Sequence, residues 1–376
     1  MFGRRIPLFS LFGFKVGIDT SWFLLAIFIT WSLAQGLFPY LFKGLSNAAY
    51  WGMGVAGAVG LFVSIVFHEF CHSLVARRFG LSMKGITLFV FGGVAEMEDE
   101  PGSPKVEFLM AIAGPASSVL LGLIFYIVNI ISTNVHSYVP VNGVLWYLAF
   151  LNFLLAGFNL IPAFPLDGGR VLRSILWAIK GNLRWATKIA SFLGESFGFL
   201  LIFVGIIEFF GGYVLSGVWY FLIGLFIRSA SEMSYKQLLV RKALEGETVE
   251  RFMKTDFIAV PASASIEDLV NNYIYKYHFK MFPVSESDDI IGCVTTDKVK
   301  DVPKDTWHQK TVKDITKECS IENTISPKAD AMQALTIMNR TGKSRLLVMD
   351  NGRLVGLITL KDMLKFLALK IDLEGE

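Results

Sequence analysis

Charged side chains are scarce in most of this sequence, and their distribution divides the chain in two. Asp, Glu, Lys and Arg make up 18% of the 376 residues, whereas soluble proteins carry about a quarter. Residues 241–376 hold 20 of the 35 Lys and Arg and 21 of the 32 Asp and Glu. This imbalance excludes one uniform soluble domain. It predicts an apolar domain over 1–240 and a soluble domain over 241–376.

Other absences exclude whole classes of function. The three cysteines, Cys71, Cys293 and Cys319, are odd in number and include no C-x-x-C spacing, which argues against a disulfide-linked secreted domain. No basic cluster is longer than two residues, so nucleic acid is not an expected partner. No G-x-x-x-x-G-K-[ST] loop is present, so ATP hydrolysis of that type is not indicated. The N-terminal residues show no small-residue cleavage site, and we expect no removed signal peptide.

Long uncharged runs fill the apolar part instead. A helix needs about 20 apolar residues to cross a bilayer. The 59 residues of 108–166 contain no charge, which is enough for two crossings with a polar turn at 133–143. Four further spans are predicted, over 20–42, 44–67, 189–207 (interrupted by Glu195) and 209–227. The predicted total is six. The sequence therefore predicts a multi-pass protein of the cell membrane.

The basic residues predict the orientation of these spans. Lys and Arg concentrate in the cytoplasmic loops of membrane proteins. If the N-terminus lies inside, 14 of the 15 Lys and Arg of residues 1–240 fall on the inner side, and Lys43 alone falls outside. Both termini and the C-terminal domain are then expected in the cytoplasm.

The second span runs into "FHEFCHSLVARRFG", residues 67–80, which contains H-E-x-x-H. At positions i and i+4 of a helix, His68 and His72 face the same side and can bind one zinc ion. Glu69 lies about 100° round the helix, beside the water that such an ion activates, where a carboxylate can accept its proton. Cys71 lies within the motif and thiolate is a good zinc ligand, although a packing role is the simpler interpretation. The alternative for the whole motif is a polar helix end at the membrane surface.

A hydrolytic zinc site uses three protein ligands and an open position. The fourth span is followed by "FNLIPAFPLDGGRVLR", residues 158–173, in which two prolines and two glycines break the helix. Such a break at membrane depth is tolerated where it lines an enclosed cavity. In the predicted topology Asp167 and His72 lie at the same depth, near the cytoplasmic side. We therefore expect Asp167 to be the third metal ligand.

Together, H-E-x-x-H and N-x-x-P-x-x-P-L-D-G-G resemble the site-2 protease family of intramembrane zinc metalloproteases, over about the first 230 residues. The resemblance implies one Zn²⁺ bound by His68, His72 and Asp167, with Glu69 as the catalytic base. It also implies that Asn159 lies near the active site and positions the substrate.

Two further stretches fit this resemblance. "ITLFVFGGVAEME", residues 86–98, is expected to form strands around a glycine turn. The family's equivalent sheet implies pairing with an unwound substrate segment, and a plain re-entrant hairpin is the alternative. "AGPASS", residues 113–118, matches the family's G-P motif in the third span. Many members have asparagine at the position of Ser118, which leaves its polar role open.

The soluble part contains an internal repeat. Residues 256–299 parallel 323–364, and each stretch runs strand, helix, strand, polar turn, then a G-x-[IV]-T strand into a helix. This order resembles a tandem pair of CBS motifs, over about 248–304 and 311–371. The expected fold is therefore a multi-span α-helical membrane domain with a small membrane-associated sheet, followed by an α/β CBS pair.

The CBS resemblance implies an adenine nucleotide as a possible ligand. In such pairs a T-x-x-D at the end of a repeat can hold the ribose. The second repeat has Thr359 and Asp362, whereas the first has Thr295 with Lys298 in place of the aspartate. At most one complete ribose site is expected. The alternative is a structural or dimerising module, and CBS pairing makes a homodimer a further expectation.

The function predicted from these observations is an intramembrane zinc endopeptidase. Its substrate would be a membrane protein, cut within or near its transmembrane segment to release a regulator, with the CBS pair as a nucleotide-responsive domain. Two rival functions are considered. One is a CBS-regulated transporter or channel that uses the broken fourth helix as an ion site. The other is a non-catalytic scaffold stabilised by zinc.

Overall fold

A computed structural model describes residues 5–81, 83–89, 92–97, 101–134, 138–287, 289–318 and 323–374. Parts of two predicted features lie outside these residues, namely 90, 91 and 98 of the strand segment and 135–137 of the polar turn, as does Cys319. The chain forms two compact units, Met1–Lys236 and Gln237–Glu376.

Six helices of the described chain are long and apolar enough to cross a membrane, which confirms the predicted number of spans. They are α1 (Ser21–Leu41), α2 (Asn47–Arg78), α3 (Pro104–Asn134), α4 (Val139–Asn159), α6 (Leu183–Phe210) and α7 (Val214–Leu244). Several of them continue beyond the predicted runs. Helix α2 carries the whole H-E-x-x-H motif and ends at Arg77 and Arg78, where the helix dipole favours cations. Helix α7 begins in the first unit and ends in the second.

Helices α6 and α7 pack closely because glycines line their seam. A Cβ atom at Gly198 would stand 2.8 Å from the Gly224 carbonyl oxygen, and one at Gly205 would stand 2.7 Å from that of Gly217. Helices in lipid approach one another through such small residues, because the lipid tails offer no hydrophobic drive to association. The seam thus holds the two helices together as a close pair.

The chain between α4 and α6 is broken as expected and restarts as α5 (Asp167–Lys180). A Cβ atom at Gly168 would stand 2.3 Å from the Leu160 and Ile161 carbonyl oxygens, so the turn requires glycine there. Helices α6 and α7 bond the broken segment, because Ala190 O accepts from Phe164 N at 3.4 Å and Ser231 Oγ donates to Phe164 O at 2.6 Å. Backbone polar groups inside a membrane need such internal partners.

A four-stranded sheet accompanies these helices, in the order β1 (Arg5–Leu11), β2 (Phe14–Asp19), β3 (Met83–Phe89) and β4 (Gly92–Met97). Strands β3 and β4 form the predicted antiparallel hairpin. The two N-terminal strands were not predicted, because β2 pairs in parallel with the distant β3. Phe14, Val16, Ile18, Ile86 and Leu88 of the sheet pack with Val66 and Phe70 of α2. The sheet is therefore anchored on the helix that carries the histidines.

The second unit contains the predicted repeat. The first half has β5 (Val260–Pro261), a helical segment α8 over 266–277, β6 (Met281–Glu286), β7 (Asp289–Thr295) and the short α9 (Thr296–Lys300). The second half has β9 (Thr324–Ile325), α10 (Ala331–Thr341), β10 (Arg345–Asp350), β11 (Arg353–Thr359) and α11 (Leu360–Glu374). Strand β8 (Lys317–Glu318) pairs with β7.

Both halves share one strand topology. In each, a short strand lies parallel to the next strand of its repeat, which then pairs antiparallel with the third. Each half also has its own buried hydrophobic cluster. The α/β fold expected of a CBS pair is confirmed.

Candidate metal centre

His68 and His72 occupy one buried face of α2, and Asp167 reaches them from the start of α5. The histidine side chains are one helical turn apart, so their Nε2 atoms stand 3.2 Å from each other. Asp167 Oδ2 lies 3.0 Å from the first Nε2 and 3.1 Å from the second. The structure thus brings the three residues predicted as metal ligands into one group. Cys71 is not part of that group.

The other ring nitrogens are fixed by helix α3. His72 Nδ1 donates to the Met110 carbonyl at 2.6 Å, since a carbonyl oxygen can only accept. A neutral His72 then presents the lone pair of Nε2 to a carboxylate oxygen, which is also an acceptor. His68 Nδ1 shares a hydrogen bond of 2.8 Å with Ser118 Oγ. Metal-binding histidines are oriented by partners of this kind.

These distances fit a zinc ion. Ligand atoms about 2.1 Å from a tetrahedral zinc stand about 3.4 Å from one another, a few tenths of an ångström more than the observed separations. A cation bound among the three atoms would also lie between the Nε2 lone pair of His72 and Asp167 Oδ2, two acceptors that otherwise face each other. Gly114 of α3 leaves the space open, because a Cβ atom there would stand 2.1 Å from His72 Nε2 and 2.5 Å from His68 Nε2. The residues present therefore suit the ion that the sequence predicts.

A buried ion pair holds α5 against α3. Arg173 Nε donates to Glu107 Oε1 at 2.5 Å, and Arg173 Nη2 contacts the same oxygen. Both side chains are buried, and the guanidinium also lies 5.1 Å from the Phe164 ring centre. Removing one partner of a buried pair is costly, since the other charge is left uncompensated. The pair therefore fixes the helix whose first residue is Asp167.

The three residues open onto a cavity of about 390 Å³. Glu69 lines it, and Gly93 of the edge strand β4 lies against this glutamate, because a Cβ atom at Gly93 would be 2.7 Å from Glu69 Cγ. Asn159 lines it as well, with Nδ2 donating to the Leu155 carbonyl at 3.0 Å. The predicted base and the predicted positioning residue therefore share one cavity with the metal group.

The predicted ribose residues differ between the two repeats. In the second, Thr359 Oγ1 donates to Asp362 Oδ2 at 2.6 Å, and Lys254 Nζ lies 2.8 Å from Asp362 Oδ1. Partial burial alone would raise the pKa of Asp362, but hydrogen bonds from Lys254 and Thr359 hold it below its ordinary value. In the first, Thr295 precedes α9, and Lys298 pairs with Asp301 at 3.3 Å instead.

Several residues at this centre were not singled out from the sequence. They are the Met110 carbonyl, Gly114, the Glu107–Arg173 pair and Arg170, which also lines the cavity. A backbone carbonyl carries no sequence signal, and Gly114 attracted attention only as part of a motif. The buried pair had a weak signal, since Glu107 immediately precedes the uncharged run from 108 to 166 and Arg173 lies seven residues after its end.

The sequence matches known families along most of its length. Residues 56–141 and 127–204 match the model of Peptidase family M50, and residues 249–304 and 312–369 match that of the CBS domain. "Putative zinc metalloprotease sll0528" of Synechocystis sp. is 35% identical over 97% of this chain and 96% of its own length. "Zinc metalloprotease MJ0392" of Methanocaldococcus jannaschii is 30% identical over 90% of this chain and 93% of its own length.

Among solved structures, the site-2 protease from Methanocaldococcus jannaschii is 31% identical to this chain. The match covers 61% of this chain and 94% of the other, with a TM-score of 0.41.

Proposed function

Because the chain belongs to peptidase family M50, the site-2 protease family of zinc metalloproteases, we propose that it cleaves the transmembrane segments of other membrane proteins. The proposed site has His68, His72 and Asp167 as zinc ligands, Glu69 as the base and Asn159 as a positioning residue. The observation that carries this proposal is the cavity that contains all five residues. Its walls belong largely to helices that can cross a membrane.

Each residue has a separate task in peptide hydrolysis. Zinc, when bound, would polarise a water molecule and the substrate carbonyl. Glu69 takes a proton from the attacking water and passes it to the leaving amine, so that the same carboxylate acts first as base and then as acid. Asn159 presents an amide to the substrate backbone at the cavity wall. Met110 O and Ser118 Oγ hold the imidazoles in the orientation that keeps both Nε2 atoms directed at Asp167.

Strand β4 supplies a way to hold the substrate. A peptide bond inside a helix is shielded, so a membrane segment must unwind before hydrolysis. Strand β4 is an edge strand, and its Gly93 stands beside Glu69. An extended substrate segment added to that edge would gain backbone hydrogen bonds and lie next to the base. This arrangement supports substrate pairing over a plain re-entrant hairpin.

The proposed organisation places the protease over 1–240 and the CBS pair over 241–376. The distribution of Lys and Arg supports a topology with both termini and the CBS pair in the cytoplasm. Cleavage on that side would release cytoplasmic regulators, as in regulated intramembrane proteolysis. Association of two copies through the CBS pair stays a prediction.

The direct test is cleavage of a single-span membrane substrate by the full chain in lipid vesicles. We expect cleavage within or near the substrate's membrane segment, located by mass spectrometry of the fragments. Zinc removal by a chelator should abolish cleavage, and added zinc should restore it. A soluble peptide lacking the membrane segment is the matched control and should be cut poorly. Zinc-dependent flux of a solute without any cleavage would contradict this proposal and support a CBS-regulated transporter or channel instead.

We further propose that the second CBS repeat binds an adenine nucleotide. Thr359 and Asp362 are in contact, and we expect them to form hydrogen bonds with the two ribose hydroxyls. The Asp362 carboxylate is ionised at neutral pH, as its lowered pKa requires, and an ionised acceptor makes the stronger hydrogen bonds. Lys254 occupies Oδ1 of the same carboxylate, so the nucleotide would displace this exposed lysine.

Replacing Asp362 by alanine should weaken AMP or ATP binding about 10- to 100-fold, because a hydrogen bond to a charged group contributes about 1.5–3 kcal/mol. Isothermal titration calorimetry on the purified full chain measures this change. Asp297→Ala is the matched control, since Asp297 is an exposed aspartate next to the first repeat's Thr295. Equal affinity of the two variants would contradict the ribose assignment. No binding by the wild type would favour a structural or dimerising module.

A further inference from the structure

Helix α5 carries two arginines in different situations. Arg173 is buried and paired with Glu107, as described above. Arg170 lies one turn closer to Asp167 and lines the cavity. Within the described residues its guanidinium makes no hydrogen bond or ion pair, and it interacts electrostatically with Glu69, which lines the same cavity. A charged side chain that faces an enclosed cavity at the inner end of membrane-spanning helices is functional by default.

The carboxylates around Arg170 also face the two histidines of the metal group. Most of the cavity lining is apolar, and the charged side chains among the described lining residues are Glu69, Asp167 and Arg170. Asp167 Oδ2 is already engaged by the two imidazoles. Two carboxylates balance the divalent ion that the site would hold, so Arg170 leaves one positive charge in excess. In a poorly polarisable site that excess favours a bound anion.

We propose that Arg170 binds a carboxylate of the substrate and thereby selects membrane segments with an Asp or Glu close to the scissile bond. A guanidinium matches a carboxylate with two parallel hydrogen bonds, which a neutral amide cannot reproduce. This inference rests on the proposed proteolytic function and adds a substrate class to it.

The position of the acidic residue follows from chain geometry. Arg170 is three residues beyond Asp167, which is about 4.5 Å along a helix. An extended peptide advances about 3.4 Å per residue. The selected Asp or Glu should therefore lie one to three residues from the scissile bond.

The test uses pairs of membrane substrates in lipid vesicles. The two substrates of a pair differ only in having Glu or Gln at one position, and the pairs cover the three positions on either side of the cut. For the wild type, kcat/KM should be at least about tenfold higher for Glu than for Gln at one of these positions. In Arg170→Gln this ratio should fall to about one, with cleavage of the Gln substrate within about threefold of wild type. Arg170→Glu should instead prefer a Lys substrate.

Binding gives a second readout that does not depend on turnover. In the Glu69→Gln background, the Glu substrate should bind more tightly than the Gln substrate, and Arg170→Gln should remove the difference. Zinc content should stay unchanged throughout. Lys43→Gln removes an exposed cation outside the cavity and should keep the full preference.

Each other outcome has one meaning. Cleavage by the wild type without any Glu preference overturns the inference and leaves the proteolytic function intact. An equal loss on both substrates in Arg170→Gln assigns Arg170 to the scissile carbonyl instead. Zinc loss in both Arg170→Gln and Arg170→Lys makes it a structural residue. Absence of cleavage of every substrate by zinc-loaded wild type overturns the proposed function itself.

Discussion

Replacing Glu69 by glutamine should lower the rate of substrate cleavage about 10²- to 10⁴-fold, the usual contribution of a general base. Glutamine preserves the shape of the side chain but cannot accept the proton of the attacking water. Glu69 lines the cavity and stands outside the group of three ligand atoms. Zinc content, measured by mass spectrometry of the purified chain, should therefore stay at the wild-type level while turnover is lost.

The control for this variant is Glu195→Gln, the same exchange at a half-buried glutamate of a spanning helix that does not line the cavity. It should cleave at the wild-type rate. If Glu69→Gln lost its zinc, Glu69 would be a ligand and another base would be needed. If Glu69→Gln kept both zinc and activity, the base would have been assigned wrongly. A zinc-stabilised scaffold predicts a further pattern, in which no variant or wild type shows cleavage.

Much of this architecture could be predicted because the membrane restricts the chain so strongly. Backbone groups in lipid must bond within a helix, so an uncharged run of sufficient length has few alternatives. The same restriction made the break after α4 informative, since prolines and paired glycines at that depth require a cavity or a protein wall. His68, His72 and Asp167 could be brought together by depth alone, and the structure places them within 3.2 Å of one another.

The unpredicted features depend on how helices rotate against one another. The pairing of Glu107 with Arg173 joins α3 to α5, and neither the spacing nor the hydropathy of these segments specifies which faces meet. Gly114 is required because a Cβ atom there would stand within 2.5 Å of both Nε2 atoms, which no local pattern reveals. The N-terminal strands were missed for a related reason. Strand β2 pairs in parallel with β3, and the paired residues are 70 positions apart. Pairing over such a distance produces only a weak local sequence pattern.

These two groups of features suggest different sensitivities to substitution. Residues predicted from the motif act directly at the proposed chemistry. The surrounding residues, most of them found only in the structure, act on the positions of those groups, through hydrogen bonds to Met110 O and Ser118 Oγ, through the space at Gly114 and through the ion pair on α5. Loss of an outer partner of a metal ligand costs about 10- to 100-fold in metal affinity or activity. Loss of a ligand itself should cost more.

That expectation is sharpest at Asp167. Asp167→Ala should lower zinc affinity by more than about 100-fold and abolish cleavage, because the two histidines are left as the only protein ligands of an ion that needs three. Competition with a chromogenic zinc chelator measures the affinity, and the vesicle assay measures cleavage. Loss of zinc without loss of the fold is expected, since the Glu107–Arg173 pair still holds α5 in place. Circular dichroism and gel filtration check that fold.

Cys71→Ala is the matched control, because Cys71 lies within the H-E-x-x-H motif and thiolate is an alternative zinc ligand. Its sulfur is outside the group formed by His68, His72 and Asp167, so zinc affinity and cleavage should both remain at wild-type levels. The opposite pattern, with zinc lost in Cys71→Ala and retained in Asp167→Ala, would mean that the metal binds to Cys71 of α2 and not to α5. The broken segment before α5 would then have no role in metal binding, and an ion or solute path through that break would become the better explanation of its position in the membrane.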